Sequence, residues 1–104
     1  MEDDVATVPR RDNATFFGLV PDLAVEILSS SNTPEEMARK RREYFQAGVR
    51  LAWFVDPVAR TVAVYTSAER FQLLSEGSLL NGEPVLPGLE ISLRDLFAEL
   101  DRTA

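Results

Sequence analysis

One carboxylate stands out because of the company it keeps. The segment Pro21-Asp22-Leu23-Ala24-Val25-Glu26-Ile27-Leu28 reads as a strand, apolar apart from its two acids. Strand side chains alternate, so Asp22, Ala24, Glu26 and Leu28 share one face while Leu23, Val25 and Ile27 share the other. Glu26 is then a mid-strand acid among residues that favour burial. A buried charge is costly unless a cation, a metal or a hydrogen-bond network meets it. The plain alternative is an edge strand with Glu26 in water, or a structural ion pair.

A second carboxylate, Asp4, begins another short strand candidate, Asp4 to Val8. If the two strands are neighbours, Asp4 and Glu26 could converge on one oxygen-lined site. Hard oxygen donors, in a chain with no histidine and no cysteine, suit Mg²⁺ or Mn²⁺ and disfavour zinc. Cations follow in Arg39-Lys40-Arg41-Arg42, but on a helix these four point in several directions. Lys40 lies three and four residues from Met37 and Tyr44, along one edge of an apolar stripe, and Arg41 falls nearer its middle. Either could carry its stem over apolar surface with its head in water. Periodicity leaves the choice between them open.

The elements that must position these groups are marked by their ends. Ser29-Ser30-Ser31-Asn32 closes the Asp22 strand. Thr33-Pro34-Glu35-Glu36 then offers an N-cap, a proline at the first helical position and a capping-box acid. Met37, Ala38, Tyr44, Phe45 and Ala47 recur at helical spacing up to Gly48, a natural stop. Leu51-Ala52-Trp53-Phe54-Val55 reads as a second buried strand, and Asp56-Pro57 turns the chain into Thr61 to Thr66. Phe71 to Leu74 is a further strand, and Ser78 to Gly88 reads as a polar stretch punctuated by Gly and Pro. A short helix capped by Ser92, with Asp95 three residues on, turns Leu93, Leu96, Phe97 and Leu100 inward. Pro9 to Val20 reads as a loop. The element order is α/β or α+β.

With 104 residues, 45% of them hydrophobic, the chain makes a single domain with a real core. No apolar run approaches the ~20 residues of a membrane span, so no membrane association is expected. The acidic start Met1-Glu2-Asp3-Asp4 lacks the basic character of a secretory signal, and the absence of cysteine fits a reducing cytoplasm. A net charge of −6 argues against a simple nucleic-acid-binding module. It leaves room for a nuclease, whose carboxylate cluster is acidic until its ion is bound.

Several runs together resemble one known family. They are Pro21-Asp22-Leu23-Ala24-Val25-Glu26-Ile27-Leu28-Ser29, Lys40 through Tyr44 to Ala47-Gly48-Val49, Trp53-Phe54-Val55-Asp56-Pro57, and Leu86-Pro87-Gly88-Leu89 before the last helix. In this order they are similar to the Uma-two family of restriction-endonuclease-like proteins, within the PD-(D/E)XK nuclease superfamily. The resemblance implies an α/β core with a mixed sheet flanked by helices and a Mg²⁺-dependent site that hydrolyses DNA phosphodiester bonds. It assigns metal binding to Asp4 and Glu26, and it assigns the lysine ahead of the Tyr…Ala-Gly-Val segment to Lys40 rather than Arg41. Three positions depart from the pattern. Asp3 stands in place of proline, Ser30 interrupts the usual Ser-Pro-Ser, and Leu28 occupies the place of the lysine two residues after the glutamate. The resemblance also implies a helix and strands ahead of the point where Met1 falls. A chain without them is expected to form a homodimer and to cleave weakly or not at all. The alternative expectation is a non-catalytic, self-associating module built on the same fold.

Overall fold

The computed structural model describes residues 20–103. The strand expected at Asp4–Val8, Asp4 itself and nearly all of the Pro9–Val20 loop lie outside the described residues.

Strand β1 (Leu23–Ile27) leads into helix α1 (Pro34–Ala47), which returns the chain to β2 (Leu51–Asp56). β1 and β2 pair in parallel, with Glu26 opposite Phe54, so a crossover helix is required between them. Hairpin partners β3 (Thr61–Ser67) and β4 (Arg70–Ser75) extend the sheet antiparallel, in the order β1-β2-β3-β4. β5 (Leu79–Gly82) and β6 (Leu86–Ser92) form a separate two-stranded sheet, and α2 (Leu93–Thr103) follows. The architecture is a mixed sheet flanked by helices, the α/β arrangement expected from the sequence. Among the described residues, no helix is long and apolar enough to cross a membrane.

The sheet separates two cores. On one face Leu51, Trp53, Val55 and Val62 meet Leu80, Leu93 and Phe97 from the β5–β6 hairpin and α2. On the other, Ala24, Ala52, Phe54 and Val49 meet Met37 and Tyr44 of α1. β2 is buried on both faces from Leu51 to Val55, which accounts for its unbroken apolar run. β1 is less covered than its sequence suggested, since Ile27 is half exposed.

The termini of α1 follow the sequence signals. The Thr33 side chain accepts from the Glu36 N–H at 3.1 Å, and the Thr33 N–H donates back to Glu36 Oε1 at 3.4 Å, with Pro34 in the first turn. Gly48 ends the helix at φ 114°, a conformation open to glycine. The turn after β2 is held by Asp56 Oδ1, which accepts from the N–H groups of Val58 and Ala59 at 3.0 Å. Arg60, at φ 61°, then reaches Asp101 of α2 through two hydrogen bonds of 2.8 and 2.9 Å and Glu76 at 3.5 Å. This bidentate clamp ties α2 to the β2–β3 turn, and the guanidinium holds the Asp101 carboxyl below its ordinary range.

The stretch from Ser78 to Gly88 corrects its sequence reading, because it contains β5 and the start of β6. Its glycine and proline residues serve the hairpin itself. A Cβ at Gly82 would lie 2.7 Å from both the Cβ and the backbone oxygen of Leu86, so only glycine lets the two strands close. Meanwhile Leu80 is fully buried against the sheet and Leu79 is exposed, the alternation of a one-sided strand. We expect Gly82→Ala to lower unfolding free energy by about 1–3 kcal/mol. Gly77→Ala, where a Cβ meets nothing within 4 Å, should stay close to the parent in the same denaturant titration. Equal effects at the two sites would contradict this account of the hairpin.

Candidate functional site

Glu26 sits on the α1 face of the sheet and is 4% exposed. Register places it beside Phe54, which in turn lies beside Ala63. Ala24 and Ala52, both fully buried, share this face with Met37 and Tyr44 of α1. Two residues one helical turn apart then reach the acid. The Lys40 ammonium is 3.3 Å from Oε1 and 3.3 Å from Oε2 of Glu26, and the Tyr44 hydroxyl donates to Oε2. The Lys40 side chain is itself largely covered, at 25% exposure, against 6% for that of Glu26.

Burial pushes the Glu26 carboxyl above its ordinary value of 4.5. The Lys40 charge and hydrogen bond pull it back only in part, and the Glu36 carboxylate adds a smaller upward push. Burial thus outweighs the lysine in setting the direction of the shift.

The structure brings Glu26 and Lys40 together and sends Arg41 elsewhere, a choice that periodicity could not make. Arg41 crosses towards β3, where its Nε–H donates to the Ala68 carbonyl at 2.7 Å and its guanidinium lies 4.6 Å from the Tyr65 ring centroid. Asp4 is outside the described residues. Tyr44 was read only as part of the apolar stripe. Its position four residues after Lys40 was the available signal, because both side chains then face the same neighbour, and a buried tyrosine hydroxyl generally seeks a partner.

The donor chemistry fits a hard divalent cation. Glu26 supplies carboxylate oxygens, the hard donors that Mg²⁺ and Mn²⁺ accept. Among the described residues, no cluster of three or more potential ligands forms, so an ion held by Glu26 would need ligands from outside the described side chains.

A buried acid with a lysine across its carboxylate sits on a mixed sheet beneath a crossover helix, and known proteins of this fold give the α/β domain its class. A crystal structure from Anabaena variabilis, described as "a putative nuclease belonging to DUF820", superposes with a TM-score of 0.67 at 25% identity. The match covers 76% of this chain and 45% of that one, so the present chain spans less than half the length of its structural relative. The family model described as "Putative restriction endonuclease" (Uma2) matches residues 2–94, and the chain belongs to that family. No curated protein matches it significantly.

The raised Glu26 pKa carries a sign that can be measured. Between 4.5 and the folded-state value, the folded protein holds more protons than the unfolded chain. The destabilisation from ionised Glu26 is thus fully present above the folded pKa and is relieved as pH falls towards 4.5. In metal-free buffer at pH ~8, Glu26→Gln is expected to melt at or a few degrees above the parent. That advantage should shrink as the buffer is taken towards pH ~5. A clear loss of melting temperature in alkaline buffer would instead make the Glu26–Lys40 pair a net structural stabiliser.

Proposed function

We propose that this domain is a Mg²⁺-dependent endonuclease unit acting on DNA phosphodiester bonds, with Glu26 and Lys40 at its centre. The observation that carries the reading is the buried Glu26 carboxylate, raised in pKa by burial and spanned by the Lys40 ammonium across both of its oxygens. Family membership supplies the reaction class, and the sequence pattern adds Asp4 as a second oxygen ligand beside Glu26.

Glu26, with Asp4, would hold the Mg²⁺ (or Mn²⁺), which would supply Lewis-acid activation of a phosphoryl oxygen and of a water. The chain's own residues prepare the site for this. Tyr44 and Lys40 fix the Glu26 carboxylate from one side, which restricts the orientations in which it can receive a ligand. Packing by Phe54 and Met37 limits water around the acid and so strengthens its attraction for a cation. The Lys40 ammonium can donate to more than one acceptor. It can keep one hydrogen bond to Glu26 while another is directed at a water or at the negative charge growing on phosphorus. Manganese is expected to replace magnesium, because both accept the same oxygen donors.

Thermal stability measured against divalent metal tests the reading even where turnover is slow. Mg²⁺ at 100 times its dissociation constant should stabilise the fold by about 2.7 kcal/mol. That response should vanish in Glu26→Gln, and DNA nicking should vanish with it. Lys40→Met should lower nicking by about 10²–10³-fold, the usual loss of one transition-state donor, and leave metal binding largely in place. A fold indifferent to Mg²⁺ and Mn²⁺, or cleavage that survives Glu26→Gln, would overturn the proposal.

A further inference from the structure

On the α1 face, the row of side chains continues past the acid to a surface that α1 does not cover. Tyr65 of β3 pairs with Phe71 of β4, and Ala63 pairs with Leu73, so Phe71 and Leu73 point to the same side as Glu26. Phe71 is 54% exposed and Leu73 60% exposed, on a strand that is the edge of the described sheet. The Phe71 ring is stacked on Tyr65 at 4.8 Å and 27°, and Phe54 meets Tyr65 edge-on at 5.6 Å. The aromatic run thus begins in the core beside Glu26 and emerges into solvent at Phe71.

Arg41 lies against the same ring. Its Nε–H is spent on the Ala68 carbonyl, its Cζ lies 4.6 Å from the Tyr65 ring centroid, and no carboxylate pairs with it among the described residues. The two terminal nitrogens of its fork are left to bind an anion, in the geometry that suits a phosphate. By strand spacing, Tyr65 and Phe71 lie roughly 12–16 Å from Glu26, the distance of a neighbouring nucleotide or two on one strand. In a chain of net charge −6, an arginine held in place without an acid marks where a polyanion would be tolerated.

We propose that Arg41 and the Tyr65–Phe71 pair form a subsite for a nucleotide flanking the scissile phosphate. Arg41 clamps its phosphate, and its base stacks on the outward face of Phe71. The substrate class this selects is a single strand, or a duplex locally opened next to the cut. A base inside an intact duplex has both faces taken by its neighbours, whereas an unpaired base has one free for an aromatic ring. This assignment rests on the reading of the Glu26 site as one that acts on phosphodiesters. The competing occupant of the patch is a second copy of the chain, joined edge to edge through β4.

Fluorescence anisotropy in metal-free buffer, where nothing is cut, separates these cases. The probes are a labelled single-stranded oligodeoxythymidylate and a duplex of equal length. The parent protein should prefer the single strand. Phe71→Ala should weaken single-strand binding about tenfold and Phe71→Leu, which keeps apolar bulk, nearly as much. Neither should change duplex binding. Arg41→Gln should weaken both probes and reduce the salt dependence by about one phosphate contact. Melting curves confirm that each variant is folded, and Phe71→Leu serves if Phe71→Ala is not. Equal affinity for both probes, no effect of Phe71→Leu, or no binding of either probe overturns the subsite. So does a dimer that Phe71→Ala converts to monomer with oligonucleotide binding unchanged. A Mg²⁺ response lost in Glu26→Gln beside an inert Phe71 leaves the cleavage reading standing without this subsite. A Phe71 effect without any Mg²⁺ response supports the subsite and removes the cleavage reading.

Discussion

The structure turns on keeping a carboxylate inside a packed interface between sheet and helix. Glu26 is as buried as the apolar residues around it, and an isolated charge there would be expelled or protonated. Helix α1 resolves the conflict in part. Its N-terminal capping box and its glycine stop set where the helix begins and ends, and that phase puts Lys40 and Tyr44 over the acid one turn apart. Ala24 and Ala52 are buried in the same interface, beside Met37, Tyr44 and Phe54. A shift of one residue in the helix would carry the Lys40 and Tyr44 side chains off the carboxylate, since successive residues turn by about 100°.

The compensation is incomplete, and the incompleteness has functional meaning. A pair optimised for stability would hold the glutamate below its ordinary pKa. Here burial outweighs the lysine and holds it above. On the proposed function, a bound cation would favour the ionised carboxyl and pull that value back down. The opposite face of the sheet bears no such conflict, being filled by Leu51, Val62, Leu80, Leu93 and Phe97, all at or near zero exposure. Both faces thus contribute a core, and only the α1 face places a carboxylate within it.

Much of this could be read in the sequence, where local rules act alone. The cap at Thr33, the stop at Gly48, the Ser92 start of the last helix and the burial of β2 all follow from chemistry within a few residues. Glu26 was visible as a mid-strand acid in apolar surroundings. Features set by distant partners were not visible. Helical periodicity placed both Lys40 and Arg41 beside the apolar stripe, and only the crossing of α1 over the sheet sends one to Glu26 and the other to Tyr65. Tyr44 passed for a core residue because its hydroxyl partner lies 18 residues away in sequence. The β5–β6 hairpin was hidden by its own glycine and proline, which normally mark loops. Nothing local foretold that Arg60 would bridge to Asp101, 41 residues on.

Family membership and fold agree on a nuclease-type domain, while the physical case for its centre rests on the state of one carboxyl group. The direct measurement is a pH titration of the Glu26 side-chain carbonyl by carbon NMR, with and without Mg²⁺. The account predicts a midpoint above 4.5 in the metal-free protein and a clear fall when Mg²⁺ is added. A midpoint at or below 4.5 that ignores Mg²⁺ would contradict it, and would leave Glu26 and Lys40 as an ordinary buried ion pair.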